Sequence, residues 1–186
     1  MEGTVRAVLR GCPECQVAGK GEALQVPITP LKPVSKPFYR WGIDFIGRMP
    51  KSRSGNRWIL LAIDHFTNWV VAESAHSADV KTVADFIYRK IALHFGKPVE
   101  IISDRGAQFR ADLVREYCRR NNIQQCFTSA YHPRSNGKTD RTNGVIGKAL
   151  TKYAFKHKHR WDEYLDTTVW ATRVRQHSVT KHSVTT

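Results

Sequence analysis

Three aspartates stand where an acid needs a reason. Asp44 lies in WGIDFIG, midway along an apolar run, where a carboxylate is costly unless it is paired or bound to a cation. Asp104 ends a second apolar run, IISD, just before the tight turn supplied by Arg105-Gly106. Asp140 is the single acid between Arg134 and Arg160, a stretch that holds eight Lys or Arg. Brought together, three carboxylates would present hard oxygen ligands to a divalent cation, Mg2+ or Mn2+. Two such ions roughly 3.5–4 Å apart activate an attacking oxygen on one side of phosphorus and neutralise the leaving oxygen on the other. Each acid also has a plainer reading. Asp is a common turn residue, which would account for Asp104, and an acid is favoured at a helix N-terminus, which would account for Asp140. Asp64, at the end of ILLAID, reads as a turn or capping acid.

The elements that would have to gather these acids follow from hydrophobic periodicity. Tyr39 to Gly47, Trp58 to Asp64 and Trp69 to Ala75 read as strands, with SRSGN at 52–56 turning the first into the second. Val80, Val83, Ala84, Ile87 and Ile91 recur at helical spacing, and Gly96-Lys97-Pro98 ends that helix. Val99 to Ser103 predicts a fourth strand, Phe109 to Tyr117 a helix, and Ile123 to Thr128 a fifth strand. The order βββαβαβ, followed by helices, predicts an α/β domain. Its mixed five-stranded sheet would have three antiparallel strands, then two parallel ones, with helices on both faces. A right-handed crossover lays the fourth strand beside the first and carries Asp104 towards Asp44. Ser129 to Lys138, with Pro133, Asn136 and Gly137, predicts a mobile loop, and a helix follows from near Thr139 to about Lys156. On that helix Asp140, Asn143, Gly144, Gly147, Lys148 and Thr151 share one face. Val145, Ile146, Ala149, Leu150 and Tyr153 share another, predicted to pack on the sheet. A last amphipathic segment runs from Trp161 to Arg175.

Composition sets the partner class. The 186 residues carry a formal charge of +14 and are 41% hydrophobic, enough for one domain with a true core. Such a balance points to a polyanion. Nucleic acid is favoured over an acidic membrane surface, because no basic amphipathic helix dominates. The residues placed to contact it are His132, Asn136, Gly137, Lys138, Arg141, Asn143, Lys148 and Lys152, with His132 open between DNA contact and loop cap. No long apolar run and no apolar signal core are present, which predicts a soluble intracellular protein without a membrane partner. Polar residues 1–20 are followed by a Pro-rich linker at 21–37, a compact domain at 38–176 and a tail at 177–186. Cys118 and Cys126 read as buried thiols. Cys12 and Cys15 have metal-knuckle spacing but supply only half of a closed tetrahedral site, so zinc is not expected to bind.

Taken as a set, WGIDFIG, ILLAIDHFTNW, IISDRGAQF and AYHPRSNGKTDRTNG closely resemble the integrase core of Ty3/gypsy-type retrotransposons and retroviruses, which has an RNase H-like fold. The resemblance covers about Pro37 to the C-terminus, and CPECQ resembles the end of that family's zinc module. The 35 residues between Asp104 and Asp140 match the family spacing between its second and third acids. The resemblance implies that Asp44, Asp104 and Asp140 are the catalytic, Mg2+- or Mn2+-binding acids. It implies 3′-end processing and strand transfer of element DNA into target DNA, homo-oligomers and a nuclear location, with RNA as a further candidate partner. At Asp140 the chain departs from the family, which has Glu there. That departure, with the shortened ends, leaves a second reading open: a nucleic-acid-binding remnant of an integrase that no longer positions metals.

Overall fold

A computed structural model describes residues 33–128 and 137–174. The chain divides into two units, Met1–Pro30 and Leu31–Thr186; the first, with Cys12 and Cys15, lies outside the described residues. The second is a mixed sheet with helices on both faces. Its strands are β1 (Arg40–Ile46), β2 (Trp58–Asp64), β3 (Val70–Ala75), β4 (Glu100–Ser103) and β5 (Gln124–Phe127), in the order β3-β2-β1-β4-β5. The pairs β1–β2 and β2–β3 are antiparallel, while β1–β4 and β4–β5 are parallel. This is the architecture that the periodicity predicts.

Side chains alternate across the sheet, and each face buries its own core. Trp41, Ile43, Leu60, Ala62 and Val71 pack on one side with Val83, Phe86, Ile87 and Ile91, and with Val114 and Cys118. These come from α1 (Val80–Phe86), the π-helical stretch Ile87–Ala92 that continues it into α2 (Leu93–Phe95), and α4 (Asp112–Arg120). Ile59, Leu61, Ile63 and Val70 pack on the other side with Ile146, Leu150, Trp161, Leu165 and Val169. Those residues belong to α5 (Gly137–Tyr153), a 3-10 segment (Lys158–Tyr164) and α6 (Leu165–Val174).

Three local expectations are corrected. The helix expected over Phe109 to Tyr117 is two, α3 (Ala107–Arg110) and α4, split where Ala111 is extended (φ −62°, ψ 150°). The break lets Phe109 turn into the core, where Gln125 Nε2 donates to its carbonyl at 3.1 Å. Helix α5 begins at Gly137, so Gly137 and Lys138 belong to its first turn and not to a loop. Tyr153 is 56% exposed, stacked on Tyr164, and Ala154 takes the buried place beneath it. The predicted loop residues 129–136 lie outside the described residues. No helix among the described residues is long and apolar enough to cross a membrane.

Candidate active site

Strand register brings the first two acids together. In the parallel pair, Arg40, Trp41 and Gly42 of β1 stand level with Glu100, Ile101 and Ile102 of β4. Continued by two residues at the same offset, Asp44 comes level with Asp104, on strands about 4.8 Å apart. Asp104 directly follows the carboxyl end of β4, the side on which open α/β sheets place their ligand crevices, and Asp44 lies two residues before the end of β1. Alternation from Trp41 and Ile43, which face the α1 side, puts Asp44 on the α5 side.

Helix α5 supplies the third acid and a partner for the first. Asn143 Nδ2 donates to Asp44 Oδ2 at 2.7 Å, spanning 99 residues of chain, and the Phe45 N–H donates to Asp44 Oδ1 at 2.8 Å. Asp140 is exposed in the first turn of the same helix. Burial pushes the Asp44 carboxyl up to about 6; the charges of Asp104 and Asp140 push the same way, against the two hydrogen bonds. Asp140 is likewise raised, first by burial and then by Asp104. Asp44 is raised by both of the other acids and Asp140 by Asp104, so the three belong to one electrostatic site.

Asp104 is set by its turn. The Gly106 N–H donates to Asp104 Oδ1 at 2.8 Å. A Cβ on Gly106 would lie 2.9 Å from that oxygen and 2.6 Å from Gln108 Nε2, so a side chain there would push the Asp104 carboxylate or the Gln108 amide aside.

The donor set suits a hard divalent cation, and Asn143 Oδ1 is buried beside Asp44 with no hydrogen-bond partner. Among the described residues, however, no three His, Cys, Asp or Glu side chains converge into a group that could hold an ion. Asp44 and Asp104 supply the hard carboxylate oxygens that such an ion takes. Asp140, one methylene shorter than Glu, is coupled to them electrostatically without closing the set.

The residues predicted to contact nucleic acid separate into kinds. Arg141, Lys148 and Lys152 are exposed along α5, with Arg141 Nε donating to the Gly137 carbonyl at 3.2 Å. A Cβ on Gly144 or Gly147 would meet nothing within 4 Å, which leaves open space along the helix beyond Asp140. Lys138 turns inward: its half-buried ammonium donates to the His65 carbonyl, and burial lowers its pKa. Asn143 reaches the acid itself. His132 and Asn136 lie outside the described residues.

Asp64 is the turn acid that the sequence reading expects, and the support around His65 is what that reading missed. Buried Asp64 accepts from the Phe38 N–H (3.1 Å), the Thr67 N–H (2.7 Å) and the Thr67 hydroxyl (2.7 Å), so it fastens the β2–β3 turn. Burial, with Lys138 and Arg40 nearby, holds the His65 imidazole down to about 4, and its Nε2 has no hydrogen-bond partner. The signal available in sequence was HFTNW directly after the buried strand β2.

A family model described as the integrase core domain matches residues 34–133, which takes in Asp44 and Asp104 and stops short of Asp140. The chain is 33% identical over 161 residues, 85% of its length, to the Pro-Pol polyprotein of simian foamy virus type 3, and covers 14% of that protein. It is 24% identical over 179 residues, 95% of its length, to the transposon Tf2-3 polyprotein of Schizosaccharomyces pombe, and covers 13% of it. The chain thus spans about an eighth to a seventh of these polyproteins. Among solved structures, the HTLV-2 integrase catalytic core domain in complex with magnesium superposes with a TM-score of 0.64 at 20% identity. That match covers 80% of this chain and 94% of the other.

Proposed function

The chain belongs to the integrase core domain family, with relatives in retroviral and retrotransposon polyproteins and an RNase H-like fold, and from that membership we propose that it is a polynucleotidyl transferase. Its substrates are the 3′ ends of element DNA, trimmed and then joined to target DNA. The observation that carries this reading is that both Asp104 and Asp140 raise Asp44, with the parallel β1–β4 register running from Arg40–Glu100 to Gly42–Ile102 and leading towards both Asp44 and Asp104.

Asp44 and Asp104, with Asp140, would hold Mg2+ or Mn2+; the solved HTLV-2 core is itself a magnesium complex. Bound there, the cation supplies Lewis acidity to the attacking oxygen and charge neutralisation to the leaving one. The chain's own residues do the rest. Asn143 fixes the Asp44 carboxylate by holding Oδ2, and the Gly106 turn fixes Asp104. The open surface at Gly144 and Gly147 lets a sugar-phosphate backbone lie close to α5, where Arg141 and Lys148 neutralise phosphates. Joining element DNA to chromosomal DNA places this work in the nucleus. The trimeric form of the HTLV-2 core supports assembly into homo-oligomers.

A second reading has its own observation. The three acids do not close into an ion-holding group, and Asp140 is the short one, which favours a remnant that binds nucleic acid without cutting it. End-cleavage and strand-transfer assays with Mg2+ and Mn2+ separate the two. Activity that disappears in Asp104→Asn supports the transferase. An inert parent that gains activity as Asp140→Glu places the lesion at one methylene. Inert proteins that bind DNA with a steep salt dependence support the remnant.

A further inference from the structure

At the far end of α5 a second basic surface is built from two segments about a hundred residues apart in sequence. Arg48 to Arg57, between β1 and β2, holds four basic residues and no acid. Lys156 to Arg160 leads into the 3-10 segment. The two are laced together: the Arg53 N–H donates to the His159 carbonyl at 2.8 Å, and His159 Nδ1 meets the Lys51 carbonyl at 2.7 Å. Beneath them Ser52 Oγ and Asn56 Nδ2 donate to Asp162 Oδ2 at 2.7 and 3.0 Å, and Trp161 Nε1 donates to the Pro50 carbonyl at 2.7 Å.

This lacing holds Lys51, Arg53, Lys156, His157, Lys158 and His159 on the surface, and all six are exposed. The local acids are already engaged, Asp162 by Ser52 and Asn56, and Glu163 by Arg160. Among the described residues, none of Lys51, Arg53, Lys156 or Lys158 makes a salt bridge. A row of cations without salt-bridge partners has a cost in mutual repulsion, and here a part-buried polar network keeps it in place. From Asp140 to the end of α5 at Tyr153 is about 20 Å along the helix axis, so the ridge is apart from the three acids.

We propose that this laced ridge is a second nucleic-acid surface that takes the phosphate backbone of duplex DNA without reading its sequence. Its donors are four Lys or Arg heads that contact charge rather than base edges, and the fixed loop spares the complex an ordering cost. The surface works whether or not the acids catalyse, so it does not rest on the transferase reading.

The test uses the full 186-residue chain and a fluorescent duplex of mixed sequence, with affinity measured by anisotropy over a series of KCl concentrations. Replacing Lys51, Arg53, Lys156 and Lys158 together by Gln is expected to lower the slope of log affinity against log salt by about 3 to 4, and affinity at least tenfold. Replacing Lys81, Arg89, Lys90 and Lys97 by Gln removes the same charge from the opposite face and is expected to change the slope by less than about 1. Lys156→Gln with Lys158→Gln, at exposed positions outside the polar network, is expected to show about half the effect should the fourfold variant melt early. Equal losses from the two fourfold variants, an unchanged slope, or displacement of the duplex by polyglutamate at equal charge would each overturn the proposal.

Discussion

Asn143 holds Asp44 by a 2.7 Å hydrogen bond across 99 residues of chain, and its own carbonyl oxygen is buried without a partner. That contact ties α5 to β1 at the acid that burial disfavours most. Asn143→Ala removes a donor that stabilises the ionised Asp44, so its pKa is expected to rise further, and folding stability above that pKa to fall by about 1–3 kcal/mol. Metal affinity or activity should drop about 10- to 100-fold, as when outer partners of ligands are lost. Chemical denaturation at pH 7 and an Mg2+ titration check both.

Gly106 carries a second prediction. Its Cβ-free approach to Asp104 allows the N–H to reach the carboxylate. Gly106→Ala is expected to displace Asp104, costing about 1–3 kcal/mol in crowding and more in activity than in stability. A variant with normal activity and a normal melting temperature would show the turn to be dispensable.

Two buried titrating groups oppose each other in the metal-free protein. His65 has a folded pKa of about 4 against an ordinary 6.5, so the unfolded chain takes up its proton first, and stability is lost as pH falls from 6.5 towards 4. Asp44 has a folded pKa of about 6 against an ordinary 3.8, so stability present below 3.8 is lost as pH rises towards 6. Asp44→Asn is therefore expected to leave stability rising with pH across this window, and His65→Gln to leave it falling. Urea midpoints from pH 4 to pH 7 in EDTA measure both slopes.

Gly147 tests the open face of α5. A glycine inside a helix costs about 0.5–1 kcal/mol relative to alanine, and nothing stands within 4 Å of the missing Cβ of Gly147. Gly147→Ala is expected to raise stability by that amount and to weaken DNA binding near the acids. Raised stability with unchanged binding would mean that no backbone approaches this face.

Much of this arrangement was legible because it rests on periodicity. The strand order follows from apolar alternation and the SRSGN turn, and the crossover rule carries Asp104 towards Asp44. What stayed hidden depends on contacts between distant segments. Asn143 was expected to face nucleic acid, since its three-residue spacing from Asp140 gives a helix face and says nothing about what lies opposite. Lys138 was likewise expected to contact nucleic acid, whereas its ammonium donates to the His65 carbonyl, a partner 73 residues away in sequence. The break at Ala111 was invisible because alanine is a good helix former, and the buried position of Phe109 overrides that preference. Asp140 stood out as the lone acid of a basic stretch, while its place as the third of a set came from the family resemblance, and among the described residues the three acids do not close into an ion-holding group.

The central claim is that Asp44 and Asp104 act as one site for a divalent cation. Mn2+ binding by electron paramagnetic resonance, measured for the parent, Asp44→Asn, Asp104→Asn and the double variant, tests it most directly. If the pair is one site, each single change abolishes tight binding and the double change adds almost nothing. If the losses add independently, or the parent binds no Mn2+ that depends on either aspartate, the two acids do not share an ion and the account fails.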